Sequence, residues 1–128
     1  MSPERIQPRV FVVDDEVVIA QTLGVILRQQ GFEAHSFSLP LEALKAARDM
    51  APDLLISDVV MPLLSGIDLA IQLREVCPNC KVLLFSGQAA TVGMLEKART
   101  SGHNFEVLSK PVHPADLLLK IRTALDVA

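Results

Sequence analysis

Two hydrophobic patterns alternate along the chain: short continuous apolar runs, and longer stretches in which apolar residues recur every three or four positions. Arg9-Val10-Phe11-Val12-Val13, Leu54-Leu55-Ile56 with its flanks, and Lys81-Val82-Leu83-Leu84-Phe85-Ser86 are continuous runs, which predict strands buried on both faces. Glu33 to Phe37 alternates weakly and Phe105-Glu106-Val107-Leu108 is brief, and each predicts a short strand. Helical spacing fills the intervals. From Val17 to Gln30 it places Ala20, Leu23 and Leu27 with Val17 and Gly24 on one face, and Gly31 supplies the stop.

Pro40 opens a second helix carrying Leu41, Leu44 and Ala47 and ending near Asp49-Met50. Gly66 to Val76 sets Ile67, Ala70, Ile71 and Arg74 on successive turns before Pro78-Asn79 closes it. Thr91 to Ser101, with Leu95 and Ala98, ends at Gly102, and Pro114 starts a last helix reaching about Leu125. Five strand-helix units in succession predict an α/β fold: a doubly wound parallel sheet with helices on both faces. Residues 1–8, polar with two prolines, are expected to form a loose leader, leaving 9–128 as one domain.

Composition narrows the function classes. Half of the 128 residues are hydrophobic and the net charge is -3, which indicates neither a disordered chain nor a basic nucleic-acid footprint. Apolar stretches are broken by Asp or Gln well short of a membrane span, so the expectation is a soluble, cytoplasmic protein. The two cysteines, Cys77 and Cys80, lie too close in sequence to staple a fold, in keeping with a reducing compartment.

The stretch Asp53 to Pro62 ends an apolar run in a carboxylate, Asp58. Alone, Asp58 reads equally well as a loop residue capping the helix that begins near Gly66. Its company decides otherwise. In a parallel sheet all strand carboxyl ends share one edge, so Asp14, Asp15, Asp58, Ser86 and Lys110 converge there. Three neighbouring carboxylates repel and raise one another's pKa unless a cation joins them, and an oxygen-only set favours Mg²⁺. Mg²⁺ leaves coordination sites for phosphate oxygens, which points to a phosphoryl-accepting site with Asp58 as nucleophile. A carboxylate needs no general base, only charge neutralisation by the metal and Lys110 and a donor such as the Ser86 hydroxyl.

The Asp pair after the first strand, Asp58-Val59-Val60-Met61-Pro62, Ser86-Gly87 and Lys110-Pro111, in order at successive strand ends, resemble the receiver domain of two-component response regulators. The resemblance covers Arg9 to about Leu125 and implies a flavodoxin-like sheet of order 2-1-3-4-5. By that resemblance Asp58 is the phosphoacceptor, Asp15 and Asp58 ligate Mg²⁺ directly, Asp14 does so through water, and the backbone carbonyl of Val60 adds a ligand. Ser86 follows the phosphoryl group, Lys110 turns into the site through a cis Lys110-Pro111 bond, and Val60 and Gln88 flank the path of attacking water. The implied donor is a histidine kinase or phosphotransfer protein. Output runs through a protein partner or an effector domain, without turnover on outside substrates, nucleic-acid contact by this domain or membrane association.

One position departs from the family pattern: the aromatic expected three before the lysine is Val107, with Phe105 two residues earlier. That leaves an alternative of a different class, a phosphorylation-independent receiver-like interaction module. A third, a phosphatase working through an aspartyl intermediate, lacks any cap insertion. Cys77-Pro78-Asn79-Cys80 has the spacing of a redox pair or half a zinc site, but it follows a helix instead of opening one and no second ligand pair exists. His35, His103 and His113 are scattered and expected to be peripheral. No glycine-rich phosphate loop follows the first strand, which argues against nucleotide binding.

Overall fold

The computed structural model describes residues 7–87 and 91–126, and residues 1–6 of the leader expected over 1–8 and the loop residue Gln88 lie outside them. Ten elements alternate in the expected order: β1 (Arg9–Val13), α1 (Val17–Gln29), β2 (Glu33–Phe37), α2 (Pro40–Asp49), β3 (Leu54–Asp58), α3 (Gly66–Val76), β4 (Lys81–Ser86), α4 (Thr91–Thr100), β5 (Glu106–Ser109) and α5 (Pro114–Leu125). The strands form one parallel sheet ordered β2-β1-β3-β4-β5, the flavodoxin-like arrangement.

Alternation along each strand divides the apolar side chains between two cores. Phe11, Val13, Leu55 and Leu84 pack with Ala43, Leu69, Leu73 and Ala98 beneath α2, α3 and α4. Val10, Val12, Leu54, Ile56 and Leu83 pack with Leu27, Leu117 and Ile121 beneath α1 and α5. Burial on both faces is why β1, β3 and β4 read as unbroken apolar runs. Gly31, at φ +93°, and Gly102, at φ +91°, end α1 and α4 in the left-handed conformation that glycine adopts without penalty.

Three expectations need correction. The inward row of α2 is Pro40, Ala43, Leu44 and Ala47; Leu41, one residue off that row, is 61% exposed. Strand β5 begins at Glu106, paired with Leu83, so Phe105 precedes the ladder instead of opening it. Asp53 likewise precedes β3, where its Oδ2 accepts from the Arg9 N–H at 2.7 Å. The Arg9 side chain in turn donates to Glu33, which also pairs with His35 at 2.8 Å, and Arg9 and His35 together hold the Glu33 carboxyl below the usual range.

Arg74 and His103 also have structural work. The Arg74 guanidinium lies 4.8 Å from the Phe105 ring centroid, and the His103 ring stacks on Phe105 with planes 8° apart. This group joins α3 to the start of β5 by cation–π and ring contact. Among the described residues no helix is long and apolar enough to cross a membrane.

Leu73 is fully buried, so Leu73→Ala is expected to cost about 2–5 kcal/mol through lost contacts and the cavity left behind. Leu41→Ala should change stability by less than about 0.5 kcal/mol. Urea denaturation of both variants checks the pair.

Candidate functional site

The register of the sheet builds the site. Asp58, the last residue of β3, pairs with Phe85, and Ser86 pairs with Ser109, so Asp58, Ser86 and Lys110 follow one another across adjacent strand ends. On the other side β1 runs into Asp14 and Asp15. The Asp14 N–H donates to Phe37 O at 3.1 Å, which carries the sheet bonding one residue past β1.

The five predicted side chains are thus placed at one edge. One carboxylate oxygen each from Asp14, Asp15 and Asp58 lies within 4.8 Å of the others. Lys110 Nζ donates to Asp58 Oδ2 at 2.8 Å. The Lys110-Pro111 bond is cis, and the Lys110 N–H donates to Ser86 O at 2.9 Å, tying the lysine backbone to the end of β4. The capping alternative for Asp58 is closed, because Ser65 caps α3 by accepting from the Asp68 N–H at 3.1 Å.

Burial sets the electrostatics. Asp14 is 3% exposed, and its carboxyl is pushed above the ordinary range chiefly by burial, assisted by Asp58 and Asp15 and opposed by the Glu16 N–H, 2.9 Å from Oδ1, and by Lys110. For Lys110, burial acts to lower the pKa, but the hydrogen bond and charge of Asp58, with Asp14 and Glu16, outweigh it and raise the value. An ammonium so placed stays charged at neutral pH, facing three carboxylates with a single positive charge.

Two residues that carry no site chemistry hold Asp58 in position. A Cβ on Gly66 would sit 2.1 Å from the Asp58 carbonyl oxygen, and the Gly66 N–H donates to Val59 O at 2.8 Å. Helix α3 therefore packs directly on the peptide of Asp58 because residue 66 lacks a side chain. Ser57 is fully buried, and its hydroxyl donates to Asp58 O at 2.9 Å. Sequence spacing marks the start of α3 but carries no signal for either contact, which exists only once helix and strand are packed.

Residues 10–122 match the response regulator receiver domain family. The chain belongs to that family. Transcriptional regulatory protein CreB of Escherichia coli is 34% identical over 116 residues, covering 91% of this chain and 50% of CreB. DNA-binding response regulator MtrA of Mycobacterium tuberculosis is 27% identical over 122 residues, 95% of this chain and 52% of MtrA. The receiver domain thus spans about half the length of these relatives. A response regulator receiver domain protein from Clostridium thermocellum superposes with a TM-score of 0.81 at 30% identity, over 93% of this chain and 94% of that one.

The receiver domain's cysteines lie apart from the acidic edge, at the end of α3 and before β4, and both are buried as free thiols. Burial raises the Cys77 thiol and pushes Cys80 up to about 12, so neither has thiolate character. His113 accepts from the Ala115 N–H at 3.1 Å and caps α5. All three histidines, expected to be peripheral, make contacts within the fold and lie outside the carboxylate cluster.

Two expectations follow. Because the folded pKa of Asp14 is raised, its penalty is absent below the unfolded value and develops as pH rises through the folded one. Asp14→Asn should therefore be more stable than wild type at neutral pH in chelator, with the difference vanishing on acidification, as read by urea denaturation across pH. Both thiols should resist alkylation at pH 8 in the native protein and react promptly in denaturant, as followed by intact mass.

Proposed function

We propose that this receiver domain accepts a phosphoryl group on Asp58 from a histidine kinase or phosphotransfer protein and signals through a partner or effector domain. The supporting observation is the convergence of three carboxylates within 4.8 Å with Lys110 Nζ held 2.8 Å from Asp58 Oδ2. The unit proposed to act is residues 9–128, working in the cytoplasm.

The donor set fits Mg²⁺: it is all oxygen, it carries excess negative charge, and Asp14 supplies a carboxylate already withdrawn from water. Asp14, Asp15 and Asp58, with the backbone carbonyl of Val60, would hold the ion. Bound there, Mg²⁺ supplies positive charge against the phosphoryl oxygens and offsets the repulsion among the carboxylates. An Asp58 carboxylate oxygen attacks the donor phosphorus as the nitrogen–phosphorus bond of the phosphohistidine breaks. The bonding pair stays on the departing imidazole nitrogen and Asp58 becomes an acyl phosphate.

Lys110 moves from the Asp58 carboxylate onto a phosphoryl oxygen and neutralises charge that the transition state spreads. Ser86, one residue past the partner of Asp58, donates its hydroxyl to another. No residue is required as general base, since Asp58 acts in its ionised form. Val107 packs at the edge of the α3–α4 core and Phe105 is engaged by Arg74 and His103, so output by rotation of an aromatic ring has no obvious carrier. Output instead runs through the segment between Ser86 and α4, of which Gln88 lies outside the described residues.

With Mg²⁺ and a small acyl or amido phosphate donor, intact mass should show one added phosphoryl group, absent in Asp58→Asn and strongly reduced in chelator. Lys110→Ala should slow labelling by about 10²-fold or more, the usual cost of losing one preorganised charge donor. Label that persists in Asp58→Asn would refute the assignment.

A further inference from the structure

Helix α1 begins at a residue that does not cap it. Glu16 holds the N-cap position with extended backbone at φ -83° and ψ 104°, where the short side chain of Ser, Thr, Asp or Asn would accept from the first turn, and its carboxylate makes no cap hydrogen bond. Its backbone is fixed by the site instead. The Glu16 N–H donates to Asp14 Oδ1 at 2.9 Å, and the Ala20 N–H donates to Glu16 O at 3.1 Å, so the buried Asp14 decides where residue 16 stands. Glu16 is exposed, and among the described residues its carboxylate enters no hydrogen bond or ion pair.

That free carboxylate faces Lys110. Against the burial that lowers the Lys110 pKa, Glu16 acts with Asp58 and Asp14 to raise it, while Glu16 itself lies outside the group of three carboxylates. A divalent cation and Lys110 together balance Asp14, Asp15 and Asp58 in charge. Glu16 is then one negative charge in excess, at the edge where a phosphoryl group, itself an anion, must arrive. The positive end of α1 also favours an acid here, a benefit that is the same whatever donor approaches. The repulsion is not the same, because it grows with the charge of the donor.

Resting on the function proposed above, we infer that Glu16 is a specificity residue of the phosphoryl-accepting site, whose free carboxylate beside Lys110 selects against highly charged free phosphodonors. It touches neither the reacting phosphorus nor the metal ligands. Its action is through the field at Lys110 and Asp58, so it must depend on ionic strength and on donor charge.

The test measures, by intact mass at saturating Mg²⁺, the second-order labelling rate with a dianionic acyl phosphate and with a monoanionic amido phosphate. Glu16→Gln keeps the length of the side chain without its charge, and Glu16→Ser supplies a cap without charge and should melt at or above the wild-type temperature. Both variants should label with the acyl phosphate about fivefold faster than wild type at about 0.1 M salt, and within about twofold of it at about 1 M, where the screening length has fallen from roughly 10 Å to roughly 3 Å. With the amido phosphate the gain at the lower salt should be only about twofold. Glu75→Gln, which removes the same charge from an exposed position at the far end of α3, should label as wild type does. Calorimetry with Mg²⁺ alone should show affinity reduced by no more than about fivefold in Glu16→Gln, the same charge acting over a similar range. Wild-type labelling rates in both variants would overturn the inference, as would a gain that salt does not change or that is equal for the two donors, which would mean that Asp14 had moved. A loss of Mg²⁺ affinity of about tenfold or more would make Glu16 a ligand and overturn it too. Failure of wild type to label at Asp58 with either donor would refute the underlying function, a result distinguishable from all of these.

Discussion

Parallel pairing is the constraint from which the rest follows. Five strands running the same way must end on the same edge, and every connection must return across a face of the sheet, so helices cover both faces and the strand interiors become apolar. Polar residues at strand ends are then gathered without any local attraction between them. Asp14, Asp15 and Asp58 would separate if they were free in water. They are held within 4.8 Å because the hydrogen-bond ladders linking β1, β2, β3 and β4 fix their backbones, and the two cores resist any change in spacing.

Placing a carboxylate at this buried edge has an energetic cost, concentrated at Asp14, where burial and, to a smaller extent, the neighbouring carboxylates raise the pKa. A single ammonium from Lys110 reaches Asp58 and offsets part of it. The apolar sheet thus stabilises an arrangement that its own electrostatics oppose, which is the usual balance between a scaffold and a site. The site remains short of positive charge, a shortage that a divalent cation would make up before an anionic phosphoryl group could approach.

Most of the fold was legible because each element carries its own period. The continuous runs of β1, β3 and β4 and the helical spacing of α1 and α3 locate those elements to within a residue or so, and the parallel sheet follows from their alternation. Asp58 became legible as a candidate site residue only through its companions at other strand ends. Leu41 was misplaced because a three-residue apolar spacing does not say which of two adjacent rows faces inward, and β5 was displaced by one because Phe105 looks like a strand residue but is held by Arg74 and His103. Gly66 and Ser57 were invisible, since their contacts with Asp58 depend on the distance between a helix and a strand end, which no linear pattern encodes.

The closeness of Gly66 to the Asp58 carbonyl also bears on how the protein can diverge. Surface positions of α3 are free to drift, and even the carboxylates admit isosteric replacement without collapse of the backbone. Residue 66 admits nothing, because the smallest possible addition meets a main-chain atom that cannot rotate away. In a saturation screen for signalling it would score as intolerant as the acidic residues while contributing neither charge nor ligand. Volume and chemistry would be indistinguishable in such a readout, and only a direct measurement of folding would tell them apart.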